Sequence, residues 1–164
     1  FTLIELVMVI VLIGILSIGA GSLFSSKDAY VDYLAKERLL SLGLLAQQIA
    51  LGVSAKEVIT PRSATPPVGD PAALTISKAA GGAIEYTLVK HQITVQTYQV
   101  DTPWPSYVID GVALSAGNSV TLSWDMSANM KDATNHRVSI VGDQSFYVCF
   151  SSSGYVYQSQ AVCP

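Results

Sequence analysis

The stretch FTLIELVMVIVLIGILSIGAGSLF, residues 1–24, decides how this chain is built. It carries one ionisable side chain, Glu5, and the next charge comes at Lys27. As a helix, residues 6–24 would be about 28 Å long, close to the hydrocarbon thickness of a bilayer. A secretory signal peptide would begin with basic residues, and none is present here. The pattern therefore predicts an apolar helix over residues 1–26, suited to a membrane or to the core of a filament.

Glu5 is out of place in such a helix. A carboxylate in hydrocarbon costs about 2.5–3.5 kcal/mol and needs a partner, yet no Lys, Arg or His lies within twenty residues. We expect Phe1 to be the mature terminus, so that its α-amino group is the cation at that depth. Within one helix the two groups are poorly placed, whereas in staggered copies the Glu5 of one chain meets the Phe1 amine of the next. We therefore predict that Glu5 sets the register of a polymer, as a lone polar group does in coiled coils.

The run Phe1-Thr2-Leu3-Ile4-Glu5, followed by apolar residues, resembles the mature N-terminus of type IV pilins. The resemblance implies that a prepilin peptidase cuts before Phe1 and N-methylates it, and that Glu5 is the assembly residue. It also implies a filament of identical or mixed pilins, built by the pilus assembly machinery.

Many members of that family carry a proline at position 22, where this chain has Ser22. Proline loosens a helix, and glycine weakens one by about 1 kcal/mol relative to alanine. We expect Gly14, Gly19 and Gly21 to loosen the helix in place of the missing proline.

After Phe24 the pattern becomes amphipathic over residues 27–52 without a clear stop, which predicts that the helix continues. Asp32 and Lys36 are expected to form an i,i+4 pair on it, and Gly52 is a plausible end. Apolar residues recur at helical spacing along one side, at Val31, Ala35, Leu39, Leu42, Ala46 and Ile49.

The rest of the chain divides into a connecting loop over 53–82 and an antiparallel sheet over 83–164. The loop contains four prolines between Thr60 and Pro71, and Ser63 and Thr65 resemble O-glycosylation candidates of some pilins. Alternating residues predict four to six strands packed on the helix. The runs are 84–89, 92–100, 120–126, 137–141, 145–151 and 155–159, with turns at 142–143 and 152–154. The globular part is thus residues 27–164, and the fold class is α+β: a lollipop shape with the apolar half of a long helix projecting from a sheet.

The two cysteines, Cys149 and Cys163, lie in the last sixteen residues. A pair at that spacing is compatible with a disulfide, a reduced pair or half of a metal site. A zinc ion with four protein ligands would need further ligands besides the cysteines. Only His91 and His136 are available, and neither lies near a second ligand at the usual spacing, so the disulfide is favoured. It would imply an oxidising compartment, and it resembles the C-terminal disulfide region of pilins.

No catalytic constellation, cofactor motif or metal site emerges from the sequence, so we predict a protein that is not an enzyme. His91 and His136 are expected at the surface. The run from Asp125 to Asp132 places oxygens at alternate positions, as calcium loops do, but it lacks the required glycine and glutamate, which favours a polar turn. The net charge of −3 and the absence of a basic run argue against nonspecific nucleic-acid binding.

The leading hypothesis is a structural subunit of a type IV pilus serving adhesion, motility or DNA uptake, with a weak similarity to mannose-sensitive haemagglutinin-type subunits. Such a subunit would reside in the inner membrane before assembly and then in an extracellular pilus of a Gram-negative bacterium. Two alternatives stay open: a type II secretion pseudopilin in the periplasm, and a membrane-anchored binding domain that does not polymerise.

Overall fold

The computed structural model describes the backbone of residues 2–23, 27–52, 69–100, 105–160 and 163, and their side chains except at 16–23 and 27–29. Helix α1 spans Leu3–Leu23 and helix α2 spans Lys27–Gly52, the segment for which the sequence predicts an amphipathic helix. Within the described part of the chain, no helix combines the length and apolarity needed to cross a membrane.

Nine strands follow the helices in the described residues, and they form two sheets. They are β1 Ala72–Lys78, β2 Ile84–Lys90, β3 Ile93–Val100, β4 Ser106–Ile109, β5 Val112–Ala113, β6 Ser119–Trp124, β7 His136–Val141, β8 Ser145–Phe150 and β9 Val156–Ser159. The first sheet has the order β3-β2-β1-β6 and the second has the order β5-β4-β7-β8-β9. Every pair of neighbouring strands is antiparallel.

Helix α2 packs on both sheets through a face of mostly small or branched apolar residues. Gly43 allows a close approach: a β-carbon there would lie 3.0 Å from the side chains of Phe150 and Val156. The fully covered apolar residues of this face are Ala35, Leu39, Leu42, Ala46 and Ala50. Val31 and Ile49, which the sequence placed on the same stripe, are only partly buried.

Strand β1 corrects the sequence prediction, because the segment 53–82 is not a loop throughout. Ala72, Leu74 and Ile76 are buried, while Ala73 and Thr75 are half-buried between them, which is the alternation of a strand with one face on the core. The small alanines and the proline-rich run before them concealed this alternation. Ser63 and Thr65 lie outside the described residues.

The second sheet corrects the expectation of a single meander of four to six strands. Its unpredicted members, β4 and β5, are joined by a two-residue turn at Asp110 and Gly111, both with positive φ (52° and 85°). An Asp-Gly pair in this conformation is typical of a type I′ hairpin turn, so the sequence does contain a signal for this hairpin.

The disulfide between Cys149 and Cys163 is confirmed, with the two Cα atoms 5.7 Å apart. Cys149 is buried in β8, so the bond ties the end of the chain to the second sheet. The predicted α+β class, a helix packed on antiparallel sheet with a C-terminal disulfide, is confirmed as well.

Candidate functional site

Helix α1 exposes nearly all of its described apolar side chains. Eleven large ones between Leu3 and Ile15 are 41–82% exposed. The helix starts on the Thr2 carbonyl, which accepts hydrogen bonds from the backbone N–H groups of Glu5 (3.1 Å) and Leu6 (3.4 Å). An apolar surface of this extent on a helix is a contact surface for other molecules rather than part of this chain's own core.

Glu5 lies within that exposed segment, and no described residue makes a side-chain hydrogen bond or ion pair with it. Phe1, its predicted partner in a neighbouring chain, lies outside the described residues. The pairing of the two therefore stays a prediction.

The backbone of α1 is helical through Gly14, Gly19 and Gly21. No heavy atom lies within 4 Å of where a β-carbon would stand on Gly14, so that position faces open space. Loosening of the helix by these glycines also stays a prediction.

Asp32 is fully buried, and the Lys36 ammonium, its predicted i,i+4 partner, pairs with the Glu37 carboxylate instead. One carboxylate oxygen accepts a hydrogen bond from the backbone N–H of Gln144 at 3.1 Å, and the other has no hydrogen-bond partner among the described residues. Gly142 lies directly against this carboxylate. Asp32 thus anchors the start of α2 to the turn between β7 and β8.

Lys36, one helical turn after Asp32, is also buried. Its ammonium group holds α2 to the second sheet. Its Nζ donates to Glu37 Oε1 at 2.8 Å and to Gln158 Oε1 at 3.1 Å. The same ammonium group lies 4.1 Å from the ring centroid of Tyr33 and 5.1 Å from that of Phe146. A buried lysine whose charge is met by carboxylate, amide and aromatic groups is a structural anchor.

A buried pair of tyrosines joins the two sheets. The hydroxyls of Tyr86, on β2, and Tyr107, on β4, are hydrogen-bonded to each other, and the rings meet edge to face. Burial is the main reason why both hydroxyls have a pKa above the ordinary value; the Asp32 carboxylate raises the pKa of Tyr107 further. Both groups stay neutral under ordinary conditions and serve the packing.

His136 is not the simple surface residue that the sequence predicted. Its side chain is only 15% exposed and lies between the carboxylates of Asp110 and Asp132. The second predicted surface histidine, His91, is half-buried in the turn between β2 and β3.

The calcium-like run from Asp125 forms a polar turn. Asp125 Oδ1 accepts hydrogen bonds from the backbone N–H groups of Ser127 (2.8 Å) and Asn129 (2.9 Å). Across the residues that the structure describes, no group of three or more His, Cys, Asp or Glu side chains is placed to hold a metal ion.

No protein-family model matches the chain, and a search of curated proteins finds no match. Among solved structures, the chain is similar to two crystal forms of the type IV minor pilin FimU from Pseudomonas aeruginosa strain PAO1. One shares 11% identity at a TM-score of 0.45 and covers 77% of this chain and 91% of that one. The other shares 12% identity at a TM-score of 0.46 and covers 77% and 87%. Both are distant similarities.

Proposed function

We propose that this chain is a structural subunit of a type IV pilus and polymerises through its N-terminal helix. The observation that carries the proposal is the exposed apolar surface of Leu3–Ile15, interrupted by the single carboxylate of Glu5. Burying one large apolar side chain contributes about 1.5–3 kcal/mol. Eleven such side chains on each subunit supply a strong drive to pack α1 against apolar surroundings, and neighbouring copies of α1 provide them.

Glu5 gives that packing its direction and spacing. Apolar contacts alone allow many staggers, because they are not directional. A carboxylate carried into the filament core needs a cation at one particular height, and the N-methylated Phe1 amine of the next subunit is the cation we propose. The pairing neutralises both groups in an environment where either alone is costly.

The remainder of the chain fits the role of a compact head carried on the outside of such a filament. Helix α2 is held on two sheets by buried apolar contacts, and the C-terminal segment is tied down by the disulfide. A disulfide persists in an oxidising compartment, in keeping with an extracellular filament.

We further propose that subunits of this kind wait in the inner membrane until the prepilin peptidase and the assembly machinery have acted. Three roles of the filament, namely adhesion, motility and DNA uptake, stay predictions of the sequence. The weak resemblance to mannose-sensitive haemagglutinin-type subunits stays a prediction as well.

The test compares wild type with Glu5→Ala, with Glu85→Ala in β2 as the matched control. Filaments sheared from the cells that produce each variant are imaged by electron microscopy and probed for this chain. We expect abundant filaments containing it for wild type and Glu85→Ala, and few or none for Glu5→Ala. Wild type and Glu5→Ala should show the same thermal unfolding in detergent. Normal filaments from Glu5→Ala would contradict the register role.

The same images separate the alternatives. A wild-type chain that never appears in any fibre would support a membrane-anchored binding domain, and its confinement to short periplasmic fibres would support a type II secretion pseudopilin. Either result would overturn the pilus proposal.

A further inference from the structure

His136 lies between two carboxylates, one at each ring nitrogen. Its Nδ1 is 2.7 Å from Asp110 Oδ2, and its Nε2 is 2.7 Å from Asp132 Oδ2. The Thr134 hydroxyl lies 3.1 Å from the same Nε2. A neutral imidazole has a single N–H and can donate to only one of the carboxylates, whereas an imidazolium donates to both. The geometry therefore selects the protonated ring.

These contacts join three separate pieces of the chain at the first residue of β7. Asp110 belongs to the turn between β4 and β5, and its other oxygen accepts the backbone N–H of Arg137 at 2.7 Å. Asp132 belongs to the segment between β6 and β7, and its other oxygen accepts the backbone N–H of Thr134 at 3.1 Å. The charged ring thus holds this segment against the end of the second sheet.

The other charged side chains near His136 either pair with each other or lie on the opposite face of the sheet. Lys131 and Asp70 form an ion pair with each other, and both line a surface cleft of about 420 Å³ together with Asp132 and His136. Arg137 follows His136 in the strand, so its side chain leaves from the opposite face of the sheet. Asp110 and Asp132 are therefore the groups whose interaction depends on the charge of His136.

We propose that His136 is a pH-operated latch, which holds residues 132–134 while the ring is protonated and releases Asp132 when the ring loses its proton. A neutral ring keeps one N–H. It retains Asp110, because that carboxylate is fixed by the Arg137 backbone as well, and Asp132 is left opposite a nitrogen lone pair. The wall of the cleft loosens while both sheets stay intact. This behaviour goes beyond the filament role and does not depend on assembly.

The direction of the pH dependence follows from the groups that surround His136 and Asp132. Partial burial lowers the pKa of His136, but the hydrogen bonds and negative charges of Asp110 and Asp132 outweigh it, so the pKa lies above its ordinary value. Partial burial likewise raises the pKa of Asp132, and hydrogen bonds from Thr134 and His136 bring it below the ordinary value. The histidine contribution is fully present below about pH 6.5 and is lost as the pH rises through the folded pKa; the Asp132 contribution is present above about pH 4 and is lost in acid. The latch is therefore closed in mildly acidic solution and opens as the pH rises through the pKa of His136 in the folded protein.

The test is NMR on the full chain in detergent micelles between pH 5 and pH 9. Protection of the Thr134 N–H against hydrogen exchange, corrected for the intrinsic rate, should fall about two- to fivefold between pH 6 and pH 8.5 in wild type. Protection of Val148 in the centre of β8 should stay constant. His136→Gln should show the lower Thr134 protection throughout, with no pH step, whereas His91→Asn should keep the wild-type response.

A second variant tests the ring itself. In Asp132→Asn the His136 ring signals should titrate at a lower pH than in wild type, because one of the two charges that favour the imidazolium is gone. Unchanged Thr134 protection in wild type across this range, a pH step that survives in His136→Gln, or a His136 titration unmoved in Asp132→Asn would each overturn the latch.

Discussion

Gly142 lies so close to Asp32 that a β-carbon at position 142 would fall 2.1 Å from both carboxylate oxygens. The contact joins the first turns of α2 to the turn between β7 and β8, where the backbone N–H of Gln144 also reaches the same carboxylate. Because Asp32 is completely buried, its carboxylate has no adjacent solvent into which it could move to make room. The start of α2 is therefore fitted to this turn by shape as well as by hydrogen bonding.

Gly142→Ala should destabilise the chain by about 2–4 kcal/mol, since the added methyl group overpacks a buried polar contact. Gly81→Ala is the matched control, because a β-carbon there meets no heavy atom within 4 Å; it should change stability by less than about 0.5 kcal/mol. Chemical denaturation of the two variants in detergent makes the comparison. The Gly142 substitution should cost less in an Asp32→Ala background, and equal cost in both backgrounds would contradict the contact.

Lys36→Met should lower the free energy of unfolding by about 1–2 kcal/mol, because the ammonium group loses its aromatic and charge-assisted contacts while the methionine fills the same space. Lys131→Met is the control. That side chain is 62% exposed, and an exposed ion pair contributes at most about 1 kcal/mol. Thermal and denaturant unfolding measure both variants, and equal losses would show that Lys36 is no anchor.

The sequence predicts the strands with strong alternation well and misses those without it. Residues 84–89, 137–141 and 145–151 carry branched and aromatic residues at alternate positions, and strands form there. Strand β1 begins with two small alanines after a proline-rich run, so the alternation of apolar and polar residues along it is weak. The β4–β5 hairpin shows itself through Asp110-Gly111, a local turn signal, rather than through periodicity.

The burial of two charges on α2 was not predicted, for a related physical reason. Positions 32 and 36 share the helical spacing of the buried residues Ala35, Leu39 and Leu42, so the period alone puts Asp32 and Lys36 on the core face. The penalty of burying these charges is met in part by groups distant in sequence, Gln144 for Asp32 and Gln158 for Lys36, which periodicity cannot reveal. The same holds for His136, whose partner Asp110 is 26 residues away.

Removing the disulfide should cost about 3 kcal/mol, the chain-entropy estimate for a loop of this length. Replacing Cys149 and Cys163 together by alanine avoids a free thiol and a buried hydroxyl. The reductant dithiothreitol should lower the Tm of wild type towards that of the double variant and leave the variant unchanged. A Tm of the double variant equal to that of wild type without reductant would show that the bond does not contribute to stability.

The tyrosine pair between the sheets gives the last prediction. Tyr86→Phe or Tyr107→Phe leaves the other hydroxyl buried without its partner, so each should cost about 1–3 kcal/mol. The double variant removes both hydroxyls and should cost clearly less than the sum, with a coupling free energy of about 0.5–2 kcal/mol. Tyr155→Phe is the control: the side chain is 65% exposed, and its loss of a hydroxyl should change stability by less than about 0.5 kcal/mol. A double-mutant cycle from denaturant unfolding decides the matter, since additive losses would mean that the two hydroxyls are satisfied independently and do not hold the sheets together.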